Sequence, residues 1–162
     1  MHEGGYANDH NDLGGPTMWG VSSLMIKRLK LSPRDCGIDA DDWGDYTIIQ
    51  QMPLANSVEF YRKNFWLPIY SQINDQTAAT KIYDFAVNAD AANAHRVVQR
   101  AAGVADDGAF GPGTLAAVNA MGDKFVPAMC AEMVKYYEAI ITARPKNETF
   151  RKTWMKRAAW CG

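Results

Sequence analysis

A mainly helical fold with one short β-hairpin near its start is what this sequence predicts, and three observations carry that reading. Apolar residues recur at helical spacing over long stretches. The clearest is 123–141, where Phe125, Val126, Met129, Cys130, Met133, Val134, Tyr137, Ile140 and Ile141 line one stripe. Turn residues crowd the start, with Gly-Gly pairs at 4–5 and 14–15 that let a chain double back on itself. At 162 residues, 48% apolar and 22% charged, the chain has the length and composition of one ordinary globule with a substantial core.

The first element is the most informative. Residues 3–20 read E-G-G-Y-A-N-D-H-N-D-L-G-G-P-T-M-W-G, so Glu3, Asp9 and Asp12 sit among glycines, with Thr17 just downstream. Eight residues separate Glu3 from Asp12, and four separate Asp12 from Thr17. A carboxyl at a helix end and a second on the following hairpin would face each other across a short gap. Hydrolysis of a glycosidic bond needs such a pair: a protonated acid for the leaving oxygen, and a second group to steady the cation or a water. An acid that stays protonated near neutral pH needs an apolar surround, which Tyr6, Met18 and Trp19 could supply. The competing reading is a solvated Gly/Asp loop, or a cation site using Asp9, Asn11 and Asp12. The spaced calcium loop with its distal glutamate is missing, which speaks against the cation.

This stretch resembles the signature of glycoside hydrolase family 108, lysozyme-like N-acetylmuramidases of phages and bacteria, some of them labelled secretion activators. Glu3, Gly4, Gly5, Tyr6, Asn8, Asp9, Asp12, Gly14, Gly15, Thr17 and Gly20 carry the likeness. The resemblance implies a lysozyme-like α+β fold with Glu3 as catalytic acid. It is similar also to the Glu–Asp–Thr order of phage lysozymes, with one residue fewer before Thr17. The family places a helical segment ahead of this glutamate, where Met1 and His2 stand here.

The elements that follow read in order. Residues 19–31 form an amphipathic helix, with Leu24, Leu29 and Leu31 toward a core and Lys27, Arg28 and Lys30 solvated. Residues 33–47 form a loop bearing Trp43 and Tyr46, which in lysozyme-like folds can border the glycan cleft. An equal reading makes Trp43 a buried anchor. A helix over 57–69 places Val58, Phe60, Tyr61, Phe65 and Trp66 on an apolar face. Asn74-Asp75 caps the next helix, on which Asp84 and Asn88 lie one turn apart and take structural partners on a loop near the cleft.

From about residue 83 the chain is similar to the predicted peptidoglycan-binding segment that accompanies the family. D-F-A-V-N (84–88), V-V-Q-R-A-A-G-V (97–104) and D-D-G-A-F-G-P-G-T (106–114) carry that likeness, followed by L-A-A-V (115–118). The residues themselves predict a helix over 91–102, a turn at Asp107-Gly108, and a further helix after Gly111-Pro112. The glycines and Thr114 are as well explained by turn and cap geometry as by ligand contact. Asn147 would cap a last helix carrying Phe150, Trp154 and Trp160, whose bases Arg151, Lys152, Lys156 and Arg157 could meet wall carboxylates but read better as solvated.

Composition narrows the function. A net charge of −1 gives no footprint for nucleic acid or an anionic membrane. No apolar run spans a bilayer, and no leader pattern is seen, so stable membrane insertion is not expected. Cys36, Cys130 and Cys161 make neither a disulfide framework nor a metal pattern, and His2, His10 and His95 are scattered. No metal or cofactor is expected, which disfavours a zinc or Cys/His amidase. A segment 1–82 is assigned to catalysis and 83–162 to wall binding, the two packing as one globule. The family resemblance implies peptidoglycan as substrate, cut between N-acetylmuramic acid and N-acetylglucosamine by Glu3, Asp12 and Thr17, with Asp9 as alternative second carboxylate. Tyr6, Trp19, Trp43 and Tyr46 are the expected sugar contacts. Synthesis in the cytoplasm and action on the wall would require a holin, lysis or an export system. A non-catalytic wall-binding or secretion-regulating protein is the alternative.

Overall fold

The computed structural model describes residues 5–8 and 14–160. It is a mainly helical, lysozyme-like chain with a single two-stranded antiparallel sheet among the described residues. Backbone contacts divide it into two units, Met1–Asn64 and Phe65–Gly162.

In the first unit the chain turns on a hairpin of β1 (Thr17–Met18) and β2 (Val21–Ser22), with Thr17 opposite Ser22 and Met18 opposite Val21. The two turn residues, Trp19 and Gly20, both take positive φ (51° and 80°), the sign pattern of a type I′ turn. Glycine accepts that conformation freely. For Trp19 the left-handed region costs about 1–2 kcal/mol, partly offset by the bond from its indole Nε1 to the Met52 carbonyl at 3.0 Å. This corrects the expectation that Trp19 opens a helix: turn and second strand take 19–22, and α1 (Ser23–Leu29) starts after them.

Ser22 caps α1 by accepting from Met25 N at 3.3 Å, and Lys30 ends it in the left-handed region at φ 54°. The buried side of α1 is Ser23 and Ile26; of the leucines expected toward the core, Leu24 and Leu31 are half-buried and Leu29 is exposed. Short 3₁₀ turns follow at Arg34–Cys36 and Thr47–Gln51. Cys36, Ile38, Ile49 and Met52 are buried in this stretch. Gly37 (φ 75°) is needed where the chain passes the Asn56 side chain, because a Cβ there would lie 2.4 Å from its Nδ2. The unit runs out along α2 (Leu54–Phe65), in which Phe60 is buried while Val58, expected on the core face, is 61% exposed.

The second unit opens with a 3₁₀ turn, Pro68–Gln72, followed by five helices: α3 (Gln76–Ala89), α4 (Ala91–Ala101), α5 (Pro112–Met121), α6 (Phe125–Ala143) and α7 (Arg151–Ala159). Asp75 caps α3 through Thr77 N at 2.8 Å, as its position suggests. Asp90 breaks α3 from α4 at φ 69° and caps α4 through Ala92 N at 2.8 Å. One apolar core includes Tyr70, Ile82, Phe85, Val98, Phe125 and Met133. Val134, expected in the α6 stripe, is instead exposed.

Two departures have clear causes. Asn147 caps nothing, because the chain coils into a 3₁₀ turn over Pro145–Phe150 and leads into α7 through Phe150. Arg151 and Arg157 are not simply solvated: Arg151 pairs with Glu148 and Glu138, and Arg157 with Asp84 at 2.7 Å. The Lys81 ammonium is buried and donates to the carbonyls of Ala158 (3.0 Å) and Trp160, placing a positive charge on the α7 C-terminus.

Candidate active site

Glu3, Asp9 and Asp12 lie outside the described residues. What surrounds them in sequence is a tightly bonded frame. Residues 5–8 pair with β1 through Ala7 and Thr17, which exchange N–H···O bonds of 2.9 and 2.8 Å. The stretch that follows Glu3 is thereby tied to the strand carrying Thr17.

The Gly14-Gly15 pair is stitched to the start of α1. Ser23 Oγ donates to the Gly14 carbonyl at 3.0 Å, Ser23 N to Pro16 O at 2.9 Å, and Leu24 N to Gly14 O at 3.1 Å. Gly15 has φ +69°, and a Cβ there would stand 2.4 Å from Ser23 Oγ. Only glycine lets the chain pass that close in that conformation. Thr17 Oγ1 donates its proton to Gly15 O at 3.0 Å. The remaining hydroxyl lone pairs can then only accept, which suits a group that orients a water or an acid proton.

The predicted aromatic contacts fall into two groups. Tyr6 is exposed on the paired segment, and Trp19 is half-buried at the hairpin turn. Trp43 and Tyr46 form a separate stack, rings 5.4 Å apart and 8° from parallel. Trp43 is buried, and its Nε1 donates to Leu31 O at 2.7 Å, the geometry of a loop anchor. Tyr46 is half-buried at φ 69°, with the Lys27 ammonium 4.4 Å from its ring centroid. An indole and an ammonium thus already occupy this ring. Burial, with Asp35 second, pushes the Cys36 thiol up to about 11, so it is inert as a nucleophile at neutral pH.

In the second unit the D-D-G-A-F-G-P-G-T stretch is consumed by folding. The buried Gln99 donates to Asp107 Oδ1 (2.7 Å) and Ala109 O (3.0 Å), accepts from Gly108 N (2.8 Å), and lies 3.2 Å from Thr114 Oγ1. His95 Nδ1 donates to Gly108 O at 3.0 Å, and Nε2 then accepts from the Tyr70 hydroxyl at 2.6 Å. Burial holds the His95 pKa below its usual value, while the Gly108 bond and Asp90 pull the other way; the Gly108 carbonyl, which can only accept, puts the neutral ring's proton on Nδ1. Neither Gln99 nor His95 stands out in the sequence, since both sit inside an amphipathic helix pattern. Asp84 and Asn88 accept from Arg157 on α7 and from the Tyr137 hydroxyl (2.9 Å) on α6, so their role is structural and their partners are helices rather than the expected loop near the cleft.

The glycine-rich hairpin adjoins, in sequence, the stretch that carries Glu3, Asp9 and Asp12, and family comparison gives the class. Residues 1–89 match the family described as Glycosyl hydrolase 108, and 93–159 match the one described as Predicted Peptidoglycan domain. The chain belongs to the glycosyl hydrolase 108 family, and peptidoglycan is its partner. Among solved structures it is similar to Brucella abortus SagA, with 24% identity and a TM-score of 0.73 over 97% of this chain and 83% of that one. At that identity the likeness shows the fold. No curated protein sequence matches it. The two family matches meet near residue 90, whereas backbone contacts divide the chain after Asn64, so α3 falls in the first family match and the second unit. No helix among the described residues is long and apolar enough to cross a membrane.

Proposed function

We propose that this chain hydrolyses the β-1,4 bond between N-acetylmuramic acid and N-acetylglucosamine, with Glu3 as general acid. Asp12, oriented by Thr17, steadies the oxocarbenium-like state or positions the attacking water, and Asp9 is the alternative second carboxylate. The observation that carries the reading is the conjunction of the Glu3-to-Gly20 pattern with the hairpin frame. The strand of Thr17 is bonded to the segment that follows Glu3, and the Thr17 hydroxyl is preset as an acceptor. Tyr6 and Trp19 lie on that frame and are the proposed sugar contacts. Trp43 and Tyr46 lie on the loop over 33–47, where Trp43 anchors the loop and Tyr46, stacked by Trp43 and covered by Lys27, has its hydroxyl and ring edge to offer a sugar. Delivery to the wall through a holin, lysis or an export route belongs to this proposal.

The test is digestion of purified peptidoglycan followed by mass analysis of the fragments. Disaccharide-peptides with a reducing muramic acid end are expected. Anhydro ends would make the reaction a lytic transglycosylation, and sugar-free peptides an amidase. The anomer released at the new end reports the second carboxylate. Retention implies carboxyl groups about 5–5.5 Å apart, and inversion about 6.5–9.5 Å with a water between. A chain that sediments with the wall and releases no fragment would be the non-catalytic binder.

A further inference from the structure

Phe150 is half exposed, and it is not a stray surface residue. It ends a column of three rings. Tyr137 is buried and fixed by its hydroxyl on Asn88. Trp154 stacks on it at 5.0 Å and 17°, and Phe150 stacks on Trp154 at 5.6 Å and 26°. The column holds the outer ring with little freedom left to lose on binding. Beside Phe150 in sequence, Arg151 is clamped by both oxygens of Glu148 (2.7 and 3.0 Å) and by Glu138. This half-exposed planar network still has oxygen lone pairs to offer hydroxyl groups.

The surrounding charge is one-sided. Residues 144–157 hold six basic side chains and one acidic one, in a chain whose net charge is −1. Arg151 and Arg157 are in ion pairs, whereas Arg144, Lys146 and Lys152 are exposed with no ion pair among the described residues. The apolar area on offer is one ring, and its sequence neighbours are polar. That is too little for a protein interface built on several anchors. It matches the apolar face of one pyranose ring.

We propose that Phe150 is a stacking platform for a sugar ring of the anionic peptidoglycan strand, with Arg144, Lys146 and Lys152 facing the carboxylates of its peptide stems. This rests on peptidoglycan as the partner and gives the second unit a named contact within the matched region 93–159.

The experiment is co-sedimentation of the full chain with insoluble peptidoglycan at 4 °C, alongside turnover of short soluble glycan fragments and a thermal melt. Phe150→Ala and Phe150→Leu should weaken retention about tenfold, the loss of one stacking contact. Both should leave turnover of the soluble fragments unchanged, and both should lower the melt slightly through the lost ring contact on Trp154. Phe150→Tyr should bind as the parent does, and Val58→Ala, at an exposed apolar site of the first unit, should have no effect. Lys146→Ala with Lys152→Ala should weaken retention at low salt and not at high salt. Unchanged retention in Phe150→Ala overturns the platform while leaving the glycosidase reading intact, and parental retention in Phe150→Leu overturns ring stacking specifically. Tighter binding to phosphatidylglycerol vesicles than to peptidoglycan would make the surface a membrane contact and overturn the assignment. A parent that neither sediments nor digests sinks the peptidoglycan reading itself.

Discussion

Among the described residues, Met1–Asn64 holds three non-glycine residues at positive φ (Trp19, Lys30 and Tyr46), whereas Phe65–Gly162 holds one, Asp90. The main apolar core shows the reverse bias, drawing its buried residues wholly from the second unit, from Tyr70 to Ala158. The first unit fixes its shape through turns and side chains tied to carbonyls: Ser23 to Gly14, Thr17 to Gly15, Trp19 to Met52 and Trp43 to Leu31. The second fixes its shape by burying aromatic and aliphatic surface between helices. Bonds of the first kind hold a backbone in one unusual path, which is what a site built from loop carboxylates needs. Burial of the second kind supplies stability and says little about chemistry.

The largest loss of stability is expected in the second unit. Phe85→Ala removes a fully buried ring that packs edge-on against Tyr136 and Tyr137. A cost of about 3–5 kcal/mol is expected in denaturant unfolding, with the hydrolytic rate of the surviving folded fraction retained. Gly15→Ala should cost less, about 1–3 kcal/mol, from the positive φ and the Ser23 contact. It should lower activity beyond its effect on folding, because the displaced turn carries the acceptor of Thr17. If Gly15→Ala unfolds the chain without a separate loss of rate, the hairpin is a stability element only.

The smallest effect is a pH slope. His95 is held neutral in the fold, with its pKa below the ordinary 6.5, chiefly through burial. The unfolded chain therefore takes up a proton first as pH falls. The contribution is fully present above about pH 6.5 and is lost as pH drops from there through the folded value. Thermal melts from pH 7.5 to 5 should fall in midpoint, and His95→Asn should flatten that part of the slope while lowering stability throughout.

Periodicity and punctuation made the second unit readable. Asp75, the Gly111-Pro112 start of α5 and the long run of α6 all appear where turn chemistry and a 3.6-residue period put them. Lys81, His95 and Gln99 did not, because a polar residue in an amphipathic pattern reads as solvated until a distant carbonyl or turn is brought to it. The first unit was harder. Trp19 reads as the start of a helix, and only the pairing of Met18 with Val21 assigns it to a turn. The family and the acidic pattern were legible in residues 3–20, since glycines and carboxylates at fixed spacing are written directly in the chain. The aromatic roles were less so: Trp43 and Tyr46 are three apart in sequence, and their stacking against each other follows from the fold.

The functional proposal stands or falls on Glu3 as the catalytic acid. Its most direct measurement is the rate at which reducing ends appear from purified peptidoglycan with the parent and with Glu3→Gln. Loss of a general acid costs about 10²–10⁴-fold, so Glu3→Gln should be slower by about that factor or more while still sedimenting with the wall. A Glu3→Gln variant that digests at the parental rate would contradict it.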